Sequence, residues 1–313
     1  MKPVIEVKDL TKRYPQSKSN AVDCISFDVH QGEFFALLGP NGAGKTTTIS
    51  VLTTTLIATS GTVRVCGHDV DNDPSGVRRN SGIIFQNRSL DENLTAEENI
   101  RLHAILYGMY GFRPTFGTMP TAYKHKVEEL ASVLGIEAEI HNPINTFSGG
   151  MKRKLEIIRG LIHSPKVLFL DEPTTGLDPE SRRNLWEYLS DAQERNGVTV
   201  FLTTHYLEEV NSADKICIID RGKIVSLGSP DEVKSDLAGA YLIVDCNERS
   251  SLIEELDSLG VKYEVNRRIK IQVTPSEVHK ILRNIETPLS NVETQDATLE
   301  DAYLKIIGED SWS

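Results

Sequence analysis

Gly39-Pro40-Asn41-Gly42-Ala43-Gly44-Lys45-Thr46-Thr47 fits the pattern G-x-x-x-x-G-K-[S/T], and that pattern has a physical reading. Glycines let the backbone curl so that successive N–H groups point inward at phosphate oxygens. Lys45 brings a point charge to the β/γ-phosphates, and the Thr46 hydroxyl can ligate Mg²⁺. Upstream, Phe34-Phe35-Ala36-Leu37-Leu38 is a short apolar run suited to a buried strand. Downstream, Ile49, Leu52 and Leu56 fall at helical spacing. A strand–loop–helix sets a helix N-terminus, with its partial positive charge, under the phosphates. The candidate nucleotide-binding residues are therefore Gly39, Asn41, Gly42, Ala43, Gly44, Lys45, Thr46 and Thr47.

A second site element lies far along the chain. Asp171-Glu172 follows the apolar run Lys166-Val167-Leu168-Phe169-Leu170, which places two acids at the C-terminal end of a buried strand. Ligands in open α/β sheets collect at that edge. Asp171 is placed to hold Mg²⁺, and Glu172 to polarise a water for attack on the γ-phosphate. Two acids at a strand end are otherwise simply solvated; the phosphate loop in the same chain favours the catalytic reading. Thr199-Val200-Phe201-Leu202-Thr203 and Ile216-Cys217-Ile218-Ile219 are further apolar strands. Between the first two strands runs a helix opened by Asp178-Pro179 and carrying Leu185, Trp186 and Leu189. Strands alternating with helices imply a mostly parallel sheet.

Around this centre the patterning is mixed. Residues 5–7, 22–29 and 62–66 alternate as half-buried antiparallel strands, and 82–86 form a short apolar strand ending on Gln86. Thr95-Ala96-Glu97-Glu98 reads as a capping box, and residues 108–121 carry Gly and Pro without periodicity, as a surface loop does. Val127, Leu130, Ala131 and Leu134 restore helical spacing ahead of Gly135, which predicts a helical subdomain over about 88–163. Gly228-Ser229-Pro230 opens a polar stretch to Gly239, a boundary between a domain of 1–235 and one of 240–313. Beyond it come strands at 241–244, 263–265 and 269–273, a weak strand near Val292, and two intervening helices. The order βαββαβ predicts a small ferredoxin-like α+β domain, followed by a last helix over 298–307.

The bulk figures restrict the function. A chain of 313 residues suits two domains. Its formal net charge of −11 argues against a nucleic-acid partner held through phosphates. The local basic run Lys152-Arg153-Lys154 is an anion site only in a minor reading; it reads first as a solvated face. The 4 cysteines are scattered with no C-x-x-C pair, which disfavours zinc and fits a reducing cytoplasm. No apolar run approaches the length needed to cross a bilayer, so the chain is expected to be soluble by itself.

Ser148-Gly149-Gly150-Met151, with Leu155, Ile158 and Ile162 behind it, reads as a capped helix start. Plain capping explains the serine; an exposed helix N-terminus ready for an anion is the functional alternative. With these motifs the chain resembles the ATP-binding subunits of ABC transporters over nearly all of residues 1–235. Gly39–Thr47 looks like Walker A, Gln86 like the Q-loop glutamine, 147–151 like the signature and 167–172 like Walker B. Thr175-Gly176-Leu177-Asp178 resembles the D-loop, His205 the switch histidine and Tyr14 the aromatic that stacks on adenine. A lone histidine or an aromatic after a basic pair is more often structural, so His205 and Tyr14 rest on the resemblance.

The resemblance implies an α/β fold of the P-loop NTPase (ABC ATPase) type, with flanking antiparallel strands and a helical subdomain. It implies an ATPase with Lys45, Glu172 and His205 in catalysis and with Mg²⁺ held by Thr46, Gln86 and Asp171. Ser148, Gly149 and Gly150 would act in trans on the nucleotide of a homodimer or paired ATPase subunit, with Asp178 in the D-loop. Separate transmembrane permease subunits and a position on the cytoplasmic face of the membrane follow from the same likeness. Phe-Ser-Gly-Gly-Met replaces the usual Leu-Ser-Gly-Gly-Gln, so the polar contribution of that Gln is lost at Met151, and the variant resembles the daunorubicin-resistance branch of drug exporters. The 110–121 loop is longer than that branch usually has. An importer ATPase with a ligand-regulated C-terminal domain and a soluble ABC protein are the alternatives.

Overall fold

The computed structural model describes residues 2–85, 90–204, 206–210, 212–237, 240–273, 275–296, 298–301 and 303. The chain divides into two compact units, residues 1–225 and 226–313.

In the first unit β1 (Ile5–Lys12) and β2 (Val22–Val29) turn alternate residues inward, as a strand with one solvated face must. β3 (Phe34–Leu38) is buried at every residue and runs through the glycine loop into α1 (Lys45–Leu52). β4 (Ser60–Val65) and the short β5 (His68–Asp69) complete an antiparallel sheet of order β2-β1-β4-β5. Next come α2 (Pro74–Asn80), capped by Asp73, and β6 (Ser81–Ile84). Three helices follow, α3 (Ala96–Leu106), α4 (Thr121–Leu134) and α5 (Gly149–Leu161). β7 (Val167–Asp171), α6 (Pro179–Asn196), β8 (Thr199–Thr204), β9 (Lys215–Asp220) and β10 (Lys223–Gly228) then complete the second sheet.

Its order is β10-β9-β3-β8-β7-β6, with β9, β3, β8, β7 and β6 paired in parallel. Strands buried on both faces read as continuous apolar runs, which is why β3, β7 and β8 were legible as sheet core. The faces of the two sheets meet over a shared core. In it the Phe27 and Phe35 rings stack at 5.1 Å, Phe35 on Phe201 at 5.2 Å, and Phe169 meets Phe201 at 5.6 Å.

The helical segment is held by a buried polar network. The capping box at Thr95 forms as read. One turn on, Arg101 donates to Glu97 at 3.0 Å while the Tyr123 hydroxyl donates to the same carboxylate at 3.1 Å. Arg101 also donates to the carbonyl of Arg113 at 2.8 Å, so the 108–121 loop is anchored from beneath, with Met119 buried and a 3-10 turn at Phe116–Thr118. At the far end of α3, His103, Tyr107 and His163 form a three-ring cluster, both imidazoles tilted against Tyr107 at 4.2 and 4.5 Å and 5.9 Å from each other, joining α3 to the end of α5.

In the second unit α7 (Pro230–Leu237) occupies part of the stretch read as a polar boundary, started by a reciprocal pair of bonds between Ser229 and Glu232. β11 (Ala240–Cys246), α8 (Arg249–Leu259), β12 (Tyr263–Val265), β13 (Ile269–Val273), α9 (Pro275–Asn284) and β14 (Leu289–Asp296) follow. The sheet order β12-β13-β11-β14 is antiparallel throughout, the ferredoxin-like arrangement of a βαββαβ chain. Leu242, Val244, Ile269 and Ile271 face Leu252, Leu256 and Ile281 of the two helices. Of the helix expected at 298–307, residues 299–301 and 303 are helical and the remainder lies outside the described residues.

Candidate nucleotide site

The phosphate loop is shaped by crowding as much as by flexibility. A Cβ on Gly39 would stand 2.2 Å from the carbonyl of Ile219, and one on Gly44, at φ 112°, 2.6 Å from that of Ala21. Only glycine fits either place. Asn41 and Gly42 are exposed at the loop's crest, while Ala43 packs into the core beneath it. Lys45 opens α1 with 6% of its surface exposed. Its ammonium donates to the carbonyls of Gly39 at 2.6 Å and Pro40 at 3.1 Å. Burial lowers its pKa, and the nearby charges of Glu172 and Asp171 oppose that shift. Thr46 is exposed on the first turn; Thr47 Oγ1 lies 3.3 Å from the hydroxyl of Tyr14, whose ring is 42% exposed.

Strand order brings the acids to this loop. β8 lies between β3 and β7, pairing Leu38 with Thr204 and Asp171 with Thr203, so all three strands end at one edge. Asp171 is 2% exposed and accepts a hydrogen bond from the Thr203 hydroxyl. Burial pushes its pKa up against the opposing pull of Thr203. Glu172 takes a left-handed backbone, φ 48°, with its amide on the carbonyl of Thr203 at 3.0 Å. Non-glycine residues in that region cluster at functional turns. Gln86 and His205 lie outside the described residues; β6 and β8, which lead to them, end at this same edge.

Ser148 caps α5, its Oγ accepting from the Met151 amide at 3.2 Å. Gly149 is exposed, and a Cβ on Gly150 would stand 3.0 Å from the carbonyl of Gly176. Asp178 caps α6 through the Ser181 amide at 2.8 Å and hydroxyl at 2.6 Å, with Lys154 3.4 Å away. Those bonds, Ser181 first, hold its carboxyl well below the usual range. Among the described residues no three His, Cys, Asp or Glu side chains gather as a metal cluster.

Residues 22–175 match the family described as ABC transporter. The daunorubicin resistance ATP-binding protein DrrA3 of Streptomyces coeruleorubidus is 34% identical across 98% of this chain and 96% of its own length. The chain belongs to the ABC transporter ATP-binding family. The probable multidrug ABC transporter ATP-binding protein YbhF of Escherichia coli is 37% identical over 75% of the chain, which spans 39% of that longer protein. The dimeric structure of MJ0796, a bacterial ABC transporter cassette, superposes with a TM-score of 0.64 at 25% identity, over 72% of this chain and 98% of that one.

One expectation about this ABC subunit fails. Lys152-Arg153-Lys154 is not a solvated face: Lys152 pairs with Glu92, Lys154 with Asp178, and Arg153 is 3% exposed. Helical spacing explains the difference, because Arg153 lies on the same buried side of α5 as Glu156, Ile157 and Gly160. Glu209 was also missed. Its buried carboxylate accepts from the hydroxyls of Thr174, two residues past Glu172, and of Thr204 at 2.6 Å. The available cue was the Glu-Glu pair at 208–209, which reads as an ordinary exposed turn.

Proposed function

We propose that this chain is the ATP-hydrolysing subunit of a transporter that exports a drug, antibiotic or lipid-like substrate through separate membrane subunits. The observation that carries the reading is Lys45, buried in a glycine cradle and facing the two carboxylates at the end of β7. A cation so deeply buried, donating to the carbonyls of Gly39 and Pro40, suits a multiply charged anion that would draw it forward.

In this reading the loop amides and the N-terminus of α1 cradle the phosphates, and Tyr14 stacks on the adenine. The hard oxygen donors of Thr46 and Asp171 fit Mg²⁺ shared with phosphate oxygens rather than caged by protein alone. When bound, the ion neutralises charge on the β- and γ-phosphates. Glu172 accepts a proton from the attacking water, its carboxylate aimed by the left-handed turn. Gln86 would contribute to the Mg²⁺ shell and His205 would contact the γ-phosphate. Two subunits pair so that Ser148, Gly149 and Gly150 of one close on the ATP of the other, an arrangement supported by the dimeric cassette above. Closure and reopening would drive permease subunits from the cytoplasmic face; among the described residues no helix is long and apolar enough to cross a membrane. The names of the resistance proteins above favour export.

The test is phosphate release by the purified chain, with Lys45→Ala as control, and identification of the membrane subunit that co-purifies from native membranes. Absence of Lys45-dependent hydrolysis sinks the enzymatic reading; co-purification with an uptake system sinks the direction.

A further inference from the structure

Arg153 stands in the second turn of α5 and reaches three consecutive carbonyls of the turn that carries Glu172. Its Nη2 donates to the carbonyl of Asp171 at 3.0 Å and of Glu172 at 2.9 Å, and its Nε to that of Pro173 at 3.0 Å. Its Nη1 donates to the carbonyl of Phe85, the last described residue after β6, and to Glu156 at 3.4 Å. A guanidinium offers five N–H donors in a rigid plane, so this fork fixes the turn in direction as well as in place. Lysine, with its three N–H donors on one nitrogen, cannot span the same set.

The turn needs such a brace. A left-handed glutamate is strained and persists only where its surroundings over-determine it. On one side the Glu172 amide is held by Thr203; on the other its carbonyl is held by Arg153. Rotation of this peptide would swing the carboxylate away from the water it must deprotonate. The same arginine rides on the helix whose N-cap is Ser148, about 7.5 Å away along the axis at 1.5 Å per residue. A helix moves as a rigid rod over so short a span.

We infer that Arg153 is a positioning residue for hydrolysis, and that it links the seating of Ser148 and Gly149 against one nucleotide to the Glu172 backbone serving the other. The link rests on the trans arrangement proposed above. Within one chain, α5 faces the partner's ATP with its first turn and braces its own base with its second. Each site then becomes competent when the other is filled.

The experiment uses the full chain carrying Arg153→Lys or Arg153→Gln, alone and combined with Glu172→Gln. Monomer affinity for a fluorescent ATP analogue should stay within about twofold, since nothing in the phosphate loop changes. In the Glu172→Gln background ATP should still drive dimer formation. Turnover should fall about 10–100-fold with KM little changed, the size of effect that a misplacement of about 1 Å produces. The Hill coefficient for ATP, expected above 1 and at most about 2 for two coupled sites, should drop towards 1. Wild-type kcat in both variants overturns the positioning role, as does a rise in KM with kcat kept. Lowered kcat with an unchanged Hill coefficient overturns the link between sites. Should Arg153→Gln fail to fold, Arg153→Lys decides. Failure of Glu172→Gln with intact Arg153 to dimerise would sink the trans arrangement itself, separately from Arg153.

Discussion

The amide of Glu172 donates to the carbonyl of Thr203 at 3.0 Å, carrying the pairing of β7 and β8 one residue past Asp171 while the chain turns left-handed. The backbone bond is independent of the carboxylate, so Glu172→Gln should keep the turn and lose the base. A positioned general base contributes about 10²–10⁴-fold, and phosphate release should fall within that range. ATP would then persist, and a dimer should appear by size-exclusion chromatography. Hydrolysis at the wild-type rate would remove Glu172 from the mechanism.

Asp171 gives the opposite trade. Its raised pKa means that the folded chain holds this proton to higher pH than the unfolded chain does, so ionised Asp171 disfavours the fold. The penalty grows as pH rises from the ordinary aspartate range through the raised folded value, and is constant above it. Asp171→Asn, which can still accept from Thr203, should therefore melt higher than wild type at neutral pH while Mg²⁺-dependent ATP binding weakens. A lower melting temperature with unchanged ATP binding would contradict both halves.

Gly149 tests the geometry of assembly. It is exposed at the start of α5, where an aspartate would repel a phosphate without disturbing the phosphate loop of its own chain. In a Glu172→Gln background, Gly149→Asp should bind ATP as a monomer and fail to dimerise. Mixed with a Lys45→Ala chain it should recover one composite site and some dimer. Loss of monomer affinity would place the signature on its own nucleotide.

His103 sets part of the acid limit of stability. Burial first, then the charges of Arg159 and His163, lower its pKa to about 3, and the ring packs at a tilt against Tyr107. The unfolded chain takes up this proton near pH 6.5, the folded chain only near pH 3. Stability from this residue is thus complete above pH 6.5 and is lost as pH falls towards 3, by up to about 1.4 kcal/mol per pH unit. His103→Phe keeps the stacked ring and should flatten the fall in urea midpoint between about pH 6 and pH 4. An unchanged slope would show that the ring is not buried neutral.

Residues 39–47 and 167–172 were legible because their requirements are local: a tight glycine turn, a cation, and acids directly after an apolar run. The capping boxes at Thr95 and the Asp178-Pro179 start were legible for the same reason. Arg153 and Glu209 were not, since the partners that tie them to the Glu172 turn lie 18–20 and 35 residues away along the chain, and only tertiary packing turns them inward. α2 and α7 escaped because short helices show little periodicity; their signals were the caps, Asp73 and Ser229. Met151 stands apart. Its amide, not its side chain, is what the cap at Ser148 engages.

The cap at Ser148 leaves part of the hydroxyl's bonding capacity outside the helix. A hydroxyl has one proton and two lone pairs, and Ser148 accepts from Met151 through one lone pair, so in the proposed dimer its proton would face the nucleotide. Alanine at 148 would erase both roles in one stroke and leave them inseparable. Threonine preserves both, whereas aspartate preserves the cap but replaces the outward hydroxyl proton with a negative charge. Those two substitutions are therefore paired probes on one capped helix, a neutral donor against an anion, and melting each without nucleotide separates the helix's own response from the guest's.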